Sequence, residues 1–490
     1  GADVIFRQKN ACDERRNKKW RYFMEKFFGL KKHGTTVRTE VLAGITTFMA
    51  MAYILMVNAG MFGSLGDGYY NAVYIATAIS AVIGTVLIGL LSNLPLAQAS
   101  GMGLNAFFVY SVCFGMGFSY ANALVMVLID GIVFILLTVT GLRRVIFDAI
   151  PKAVKTAISA GIGLFIAFLG LQNAGIVVNS DATLVDLHSF NVFFGSVTWA
   201  EIMPLLITIL AVIAIGAMFK KKIKGAVFWG MIGGAVIYYV LGLITVEGFY
   251  DTAVKANFSL NILAPFKDFA NLAFGKVFTE GFDFSAWISA NGVGSFVVTF
   301  LTTMLAFCMV DMFDTLGTLF GACSVGGLLD EKGNVPNMDK AMMADAIATC
   351  CGAVCGTSTV TTFVESSAGV AEGGRTGLTS MFTALFFFIA MFLAPVAAMI
   401  PSCATAAALI YVGILMIGGV KNIEWSDPAE AVPAFLTMAL MPFTYNISYG
   451  IAFGLISYIL IKLFTGKVKE INVGTWIIGL LFTIMFFVAR

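Results

Sequence analysis

Three carboxylates and one carboxamide interrupt long apolar runs of this chain. Asp311 and Asp314 lie in FCMVDMFDTLGTLFG, Glu365 follows GTSTVTTFV, and Asn105 closes LAQASGMGLN. An acidic residue at the centre of a membrane span costs roughly 2.5–3.5 kcal/mol on insertion scales. Such a residue is kept for a ligand or for a buried structural partner. A carboxylate offers two acceptor oxygens in one plane, which suits two adjacent ring N–H donors on a planar heterocycle. It can also take a proton, so protonation can be coupled to binding. Asp311 and Glu365 are read as facing a small polar ligand and as the proton carriers. Asp314, three residues on, shares roughly the face of Asp311; it is either a further ligand group or an internal partner. Asn105 is either a ligand group or a helix cap. Phe363, two residues before Glu365, is placed to stack on a flat ligand or to pack. Phe107 and Phe108, after Asn105, have the same two options.

Other chemistries lack their residues. His33 and His188 both fall outside the apolar runs, which removes an HExxH metalloprotease and a histidine proton relay. There is no Walker loop and no GxSxG elbow. The eight cysteines show no CxxC spacing and read as buried free thiols rather than a disulfide framework or zinc site. No enzyme, no metal and no cofactor is expected; the coupling ion is a proton. Asp130 and Asp345 read as structural hydrogen-bonding residues between spans. Glu372 and Arg375 read as an ion pair or gate contact following the site.

The elements that must position these residues are membrane helices. The chain of 490 residues is 59% hydrophobic and 12% charged, against about 25% charged in soluble domains. Apolar runs fall at roughly 41–62, 71–92, 97–118, 120–141, 153–173, 200–218, 225–246, 294–320, 338–356, 358–371, 376–400, 404–420, 428–444 and 446–464. About twenty apolar residues cross a bilayer, so these are about fourteen segments of an all-α polytopic membrane protein. The stretch 473–488 is either a fifteenth, tilted segment or, the favoured reading, a helix against the bundle. Before the first span, residues 17–33 place Trp20, Phe23, Phe27 and Leu30 on one face of an interfacial helix. The polar, basic start does not read as a cleavable signal peptide. Lys and Arg cluster in the N-terminal tail, at Arg143, Arg144, Lys152 and Lys155, at Lys220 to Lys224, and at Lys462 to Lys469. By the positive-inside rule this side is cytoplasmic, N-terminus included. A net charge of +2 gives no reason to expect a nucleic-acid partner.

Two runs are irregular in matching ways. Residues 94–105 and 356–369 each read as an extended half followed by a half-helix, the second through its β-branched Thr and Val residues. The shift that carries Asn105 to Glu365 carries the start of the first span to about 301, inside the eighth. Seven spans per half is an odd number, so the second copy must be inverted. Inverted repeats with broken helices at the midplane are the layout of many transporters. The half-helix N-termini would add free N–H groups and positive dipole ends to the site.

At these residues the chain resembles a known family. RTEVLAGITTFMAMAYILMVN, ASGMGLNAFF, VDMFDTLGTL and GTSTVTTFVESSAGVAEGGRTGLTS resemble, in order and over about 20–465, the AzgA-like purine permeases of the nucleobase–cation symporter family. Two positions depart from the family's usual pattern: Ala59 replaces a proline and Asp130 a glutamate. The resemblance implies a 7+7 inverted-repeat fold with a core and a gate domain. It implies proton-coupled uptake of guanine, hypoxanthine or adenine across the plasma (inner) membrane, and an elevator-type motion. It maps binding onto Asn105, Asp311, Asp314 and Glu365, with stacking near Phe363. The implied division is 1–39 tail, 40–173 core, 200–247 gate, 248–293 extracellular connection, 294–422 core, 427–465 gate and 466–490 C-terminal segment. A homodimer through the gate is expected by analogy. Guanine and hypoxanthine, which present N–H donors to an ionised carboxylate, are favoured over adenine. The alternative is an anion transporter of the same architecture, since half-helix dipoles can hold an anion.

Overall fold

The computed structural model describes residues 25, 27–141, 150–195, 197–255, 261–330 and 334–488. Among them are ten helices long and apolar enough to cross a membrane. The first such span is α1 (Val37–Met51) joined to α2 (Tyr53–Gly63), followed by α3 (Tyr69–Ser92). Strand β1 (Gln98–Ser100) then leads into α4 (Met102–Ala106), which continues as a π-helix over Phe107–Gly115. Next come α5 (Tyr120–Thr140), α6 (Lys152–Asn173), the hairpin β2 (Val177–Ser180) and β3 (Leu184–Leu187), α7 (Trp199–Lys220) and α8 (Ala226–Thr245). After short helical turns come α9 (Val293–Val325), α10 (Met338–Cys355), β4 (Val360–Thr362), α11 (Ser366–Ala371), α12 (Gly377–Ala390) and α13 (Ser402–Met416). The chain ends in α14 (Pro428–Thr444), α15 (Ile447–Phe464) and α16 (Val473–Val488). Trp20, Phe23, Arg143 and Arg144 lie outside the described residues. Phe28 and Leu30, at the end of the expected interfacial helix, are buried against Leu378.

Both irregular runs fold as a strand followed by a half-helix, and the two strands pair. Asn93 turns the chain out of α3 with φ 58°, and Pro95 lies within the extended approach to β1. Strands β1 and β4 are antiparallel, with Gln98 opposite Thr362, Ala99 opposite Thr361 and Ser100 opposite Val360; all six residues are buried. A two-stranded ladder has two open edges, and no water reaches a buried edge to satisfy them. Here a threonine hydroxyl caps one residue on each edge. Thr85 of α3 donates to Gln98 O and accepts from Gln98 N, both at 3.0 Å. Thr349 of α10 does the same for Val360, both at 3.2 Å. Glycine lets those helices approach: a Cβ at Gly84 would lie 3.0 Å from Val360 Cγ1, and one at Gly352 would lie 2.8 Å from Val360 Cγ2.

Two packed groups surround the strands. In one, α10 lies against α3 and α5, and α12 against α1 and α3. Glu40 of α1 is buried and closes the start of α12. It accepts from Arg375 N at 2.9 Å, Thr376 Oγ1 at 2.9 Å and Thr379 Oγ1 at 2.7 Å. In the other group, α6 packs along α13 and α14, and α7 along α8 and α13. The boundaries at 173 and 422 put α6 and α13 with the core segments; in the structure their broadest contacts are with each other and with α14 and α7. Gly163 and Gly413 let α6 and α13 touch, since a Cβ at Gly413 would lie 2.4 Å from Gly163 O. Helix α16 packs on both α15 and α9, with Phe482 buried and the Phe486 ring against Phe453. Its linker is held by Lys462 Nζ on Glu470 Oε2 at 2.6 Å. That ammonium keeps the Glu470 carboxyl below the usual carboxylate range.

Thr85→Val keeps the shape of the side chain but leaves one N–H and one C=O of Gln98 buried without partners. Each orphaned group costs about 1–3 kcal/mol. The melting temperature of the detergent-solubilised protein should fall by several degrees, while Thr85→Ser, which retains the hydroxyl, should melt close to wild type. Equal melting of the Val and Ser variants would contradict the edge-closing role.

Candidate ligand-binding site

Glu365 sits in the turn between β4 and α11. That turn is tied to the approach to β1: Phe363 N donates to Ala97 O at 3.0 Å and Ala97 N donates to Ser366 Oγ at 3.0 Å. Glu365 is therefore carried by the paired strands rather than by the six-residue α11 alone. Tyr53, fully buried at the start of α2, donates its hydroxyl to Glu365 Oε1 at 2.5 Å. Asp314 comes from α9 and accepts at Oδ2 from Thr361 Oγ1 of β4 at 3.2 Å. Each acid thus has one oxygen held by a hydroxyl, and hydrogen bonds to ionised acceptors are among the stronger ones.

Asp314 and Glu365 line one cavity of about 510 Å³, between α9 and the β4–α11 turn on one side and α6 and α13 on the other. Facing the acids across it are Lys155, Thr156 and Ser159 of α6, with Ile162, Val412 and Leu415 supplying apolar wall. Glu365 also lines a second cavity of about 610 Å³, bordered by Phe219, Lys222 and Lys224. There Lys224, in the α7–α8 connection, forms an ion pair with Glu372 at the end of α11. Arg375 instead turns inward, donating from Nη1 to Val370 O at 2.7 Å and Gly374 O at 2.8 Å. The two cavities flank Glu365 and both reach basic side chains. The site combines two planar acceptors, two hydroxyls and one ammonium with an apolar wall. That composition can grip a small polar ring, or exchange a proton with it.

The other sequence candidates lie elsewhere. Asp311 is buried and lines neither cavity; it is near enough to Cys350 of α10 to interact with it electrostatically. Three residues along a helix leave about 60° between side chains, enough to turn Asp314 to the cavity and Asp311 away. Asn105 is buried at the foot of α4. Its Oδ1 accepts from Ser100 Oγ at 2.7 Å and from Ser358 Oγ, pinning the end of β1 that enters α4 to the residues just before β4. Phe363 is 6% exposed and belongs to the main apolar core. Phe107 packs on Phe307 and Phe108 on Phe62, with ring centroids 4.8 and 5.0 Å apart.

Four contributors were not singled out for the site from the sequence: Tyr53, Thr361, Ser159 and Lys155. A polar-tipped ring in the apolar run MAYILMVN was the available signal for Tyr53. Ser159 gives none, because small hydroxylated residues are ordinary filler in membrane helices.

With the eight native cysteines replaced, Ser159→Cys and Gly317→Cys, both on the cavity wall, should react with a membrane-impermeant thiol reagent. Thr315→Cys, buried beside them on α9, should react far more slowly. Equal labelling of all three would remove the cavity.

Comparison with known proteins places this geometry among transporters. The chain matches the Permease family, of xanthine and uracil permease type, over residues 38–453. It is 41% identical to a putative permease of Methanocaldococcus jannaschii, covering 95% of this chain and 98% of that one. It is 37% identical to the adenine permease AdeP of Escherichia coli, covering 94% and 95%. It is 38% identical to the guanine/hypoxanthine permease PbuO of Bacillus subtilis, covering 94% and 100%. Among solved structures it resembles the transmembrane domain of the cyanobacterial bicarbonate transporter BicA, with TM-score 0.60, 15% identity, and coverage of 84% of this chain and 97% of that one.

Proposed function

The chain belongs to the xanthine/uracil permease family, and from that premise we propose that it carries purine nucleobases into the cell together with protons. It is a multi-pass membrane transporter, not an enzyme. The observation that carries the reading is the pair Asp314 and Glu365 on one cavity, each braced by a hydroxyl that leaves its second oxygen for a ligand. Two ring N–H groups of a purine match such acceptors. Glu365 is the principal ligand and proton carrier; Asp314 is its partner on the same wall of the cavity. Asp311, Asn105 and Phe363 support the site from behind. Guanine and hypoxanthine suit ionised carboxylates better than adenine does.

The packing supports a reading of the motion. The strand-bearing group of α1–α5 and α9–α12 is the moving core, and α6–α8 with α13–α15 is the gate, in an elevator-type cycle. The matched duties of Thr85 and Thr349 on opposite ladder edges support a fourteen-segment inverted repeat. The membrane is the plasma membrane, with the N-terminus and the basic connections inside, and a homodimer through the gate is the expected assembly. The fold likeness to a bicarbonate transporter speaks for architecture only. Two carboxylates at the cavity would repel an anion.

Uptake of radiolabelled hypoxanthine into cells lacking their own purine permeases tests this. Guanine should compete, uracil should not, and a protonophore should abolish accumulation. Glu365→Gln replaces an acceptor with a donor and should lower uptake about ten- to a hundredfold while the protein stays in the membrane, given about 1.5–3 kcal/mol per charged hydrogen bond. Wild-type uptake by that variant would refute the role of Glu365. Competition by adenine in preference to guanine would reverse the specificity.

A further inference from the structure

Behind the cavity, a second pair of carboxylates meets where α5 packs on α10. Gly131 brings the helices together: a Cβ there would lie 2.6 Å from Cys350 Sγ and 3.2 Å from Ala346 O. The neighbouring Asp130 is fully buried, and among the described residues neither of its carboxylate oxygens has a hydrogen-bond partner. The charged group that acts on it is Asp345 of α10. Asp345 is also fully buried, but it is well held. Its Oδ1 accepts from Gln98 Nε2 at 3.0 Å and its Oδ2 from Thr315 Oγ1 at 2.8 Å. Gln98 Nε2 also reaches Thr362 Oγ1 at 3.2 Å.

Among the described residues, the groups around Asp130 supply no compensating cation. From α10 come Asp345 and Cys350, and from α9 come Asp311 and Cys308. The π-helical segment carries Tyr110 and Cys113. The short helix Lys276–Thr279, packed on α5, carries Lys276, whose ammonium is already paired with Glu280. Two buried carboxylates, each next to a residue of the Gly131–Ala346 helix contact and with no cation among the described neighbours, cannot both be ionised. What the site lacks is a donor hydrogen. A carboxylate with two unpartnered oxygens beside one with two filled oxygens is the arrangement that a single proton completes.

We propose that Asp130 and Asp345 form a proton-holding site separate from the ligand-facing acids, and that its occupancy is relayed to the cavity. The proton comes from water, resides on Asp130, and returns to water; no bond other than O–H forms or breaks. The relay is short. Thr315, which donates to Asp345, follows Asp314 in α9, and Gln98 and Thr362 are paired residues of β1 and β4, the strands that carry Glu365. An ionised Asp130 repels Asp345 and strains these bonds; a protonated one relaxes them. The class of ligand is thus the coupling ion itself. This inference rests on the purine–proton reading for its transport consequence, but the site can be observed without it.

Asp130→Asn mimics the protonated side chain at nearly equal volume. In purified, reconstituted wild-type protein, pH-difference infrared spectra should show a protonated-carboxyl band that disappears on alkalinisation and is missing in Asp130→Asn. This readout needs no substrate. In proteoliposomes, the variant should keep purine counterflow but lose proton-driven accumulation, which at one proton per base is about tenfold per unit of imposed pH gradient. Asp130→Glu should restore both the band and accumulation. An unchanged band in Asp130→Asn, or wild-type accumulation and pH profile, would overturn the proposal. So would loss of counterflow and accumulation together in a variant that folds, because that outcome marks a purely structural residue. Absence of wild-type purine transport with the band present would refute the purine reading and leave the proton site intact.

Discussion

Backbone amides and carbonyls cannot be left bare in a membrane interior, and the middle of this protein contains six residues of paired strand. The antiparallel pairing of β1 and β4 satisfies one edge of each strand, and on the outer edges Thr85 and Thr349 satisfy the N–H and C=O of Gln98 and Val360. Everything near the cavity depends on this closure. Glu365 projects from the end of β4, Thr361 of the same strand holds Asp314, and Asn105 fixes the strand ends through Ser100 and Ser358. A loop could display the same side chains, but not at fixed separation. A strand pair clamped by two helices can.

The two acids of the cavity and the two behind it divide the polar work. Glu365 and Asp314 receive one donor each, from Tyr53 and Thr361, and keep capacity toward the cavity. Asp345 receives a donor on each of its two oxygens. Its hydroxyl donor Thr315 adjoins Asp314 in sequence, so one turn of α9 touches both centres. At the edge of the second cavity the Lys224–Glu372 ion pair joins the α7–α8 connection to the end of α11. Both of its side chains are partly exposed, and ion pairs of that kind contribute little to stability. Its position makes it a contact between the two groups of helices rather than a structural anchor.

Much of the frame was legible in the residues. Apolar runs gave most of the long helices, because a bilayer demands about twenty apolar residues whatever the fold. The β-branched run around Val360 and the Leu-Pro-Leu-Ala at 94 gave the extended halves before each half-helix. What local pattern could not give was pairing. Nothing near Gln98 announces Thr362, and nothing near Tyr53 announces Glu365; both partnerships exist only after distant helices pack. The same limit applies to the acids. Helical spacing placed Asp311 and Asp314 roughly together, yet the helix stands between two different environments and about 60° separates them. Glu40, in the first span, reads in sequence as an ordinary end-of-helix charge. Its use as a buried acceptor for the start of α12 depends on a contact more than three hundred residues away.

The strand pair also has a consequence in time. Gln98 and Thr362 are separated by 264 residues. At roughly 5–20 residues per second of synthesis, β1 leaves the ribosome between about ten seconds and a minute before β4 exists. Thr85 can close one edge of β1 during that wait, since it lies in the preceding helix, but the other edge has no partner yet. The first half of the chain is therefore an obligate intermediate with an open backbone edge. Its lifetime in the membrane is set by the pace of translation rather than by the fold.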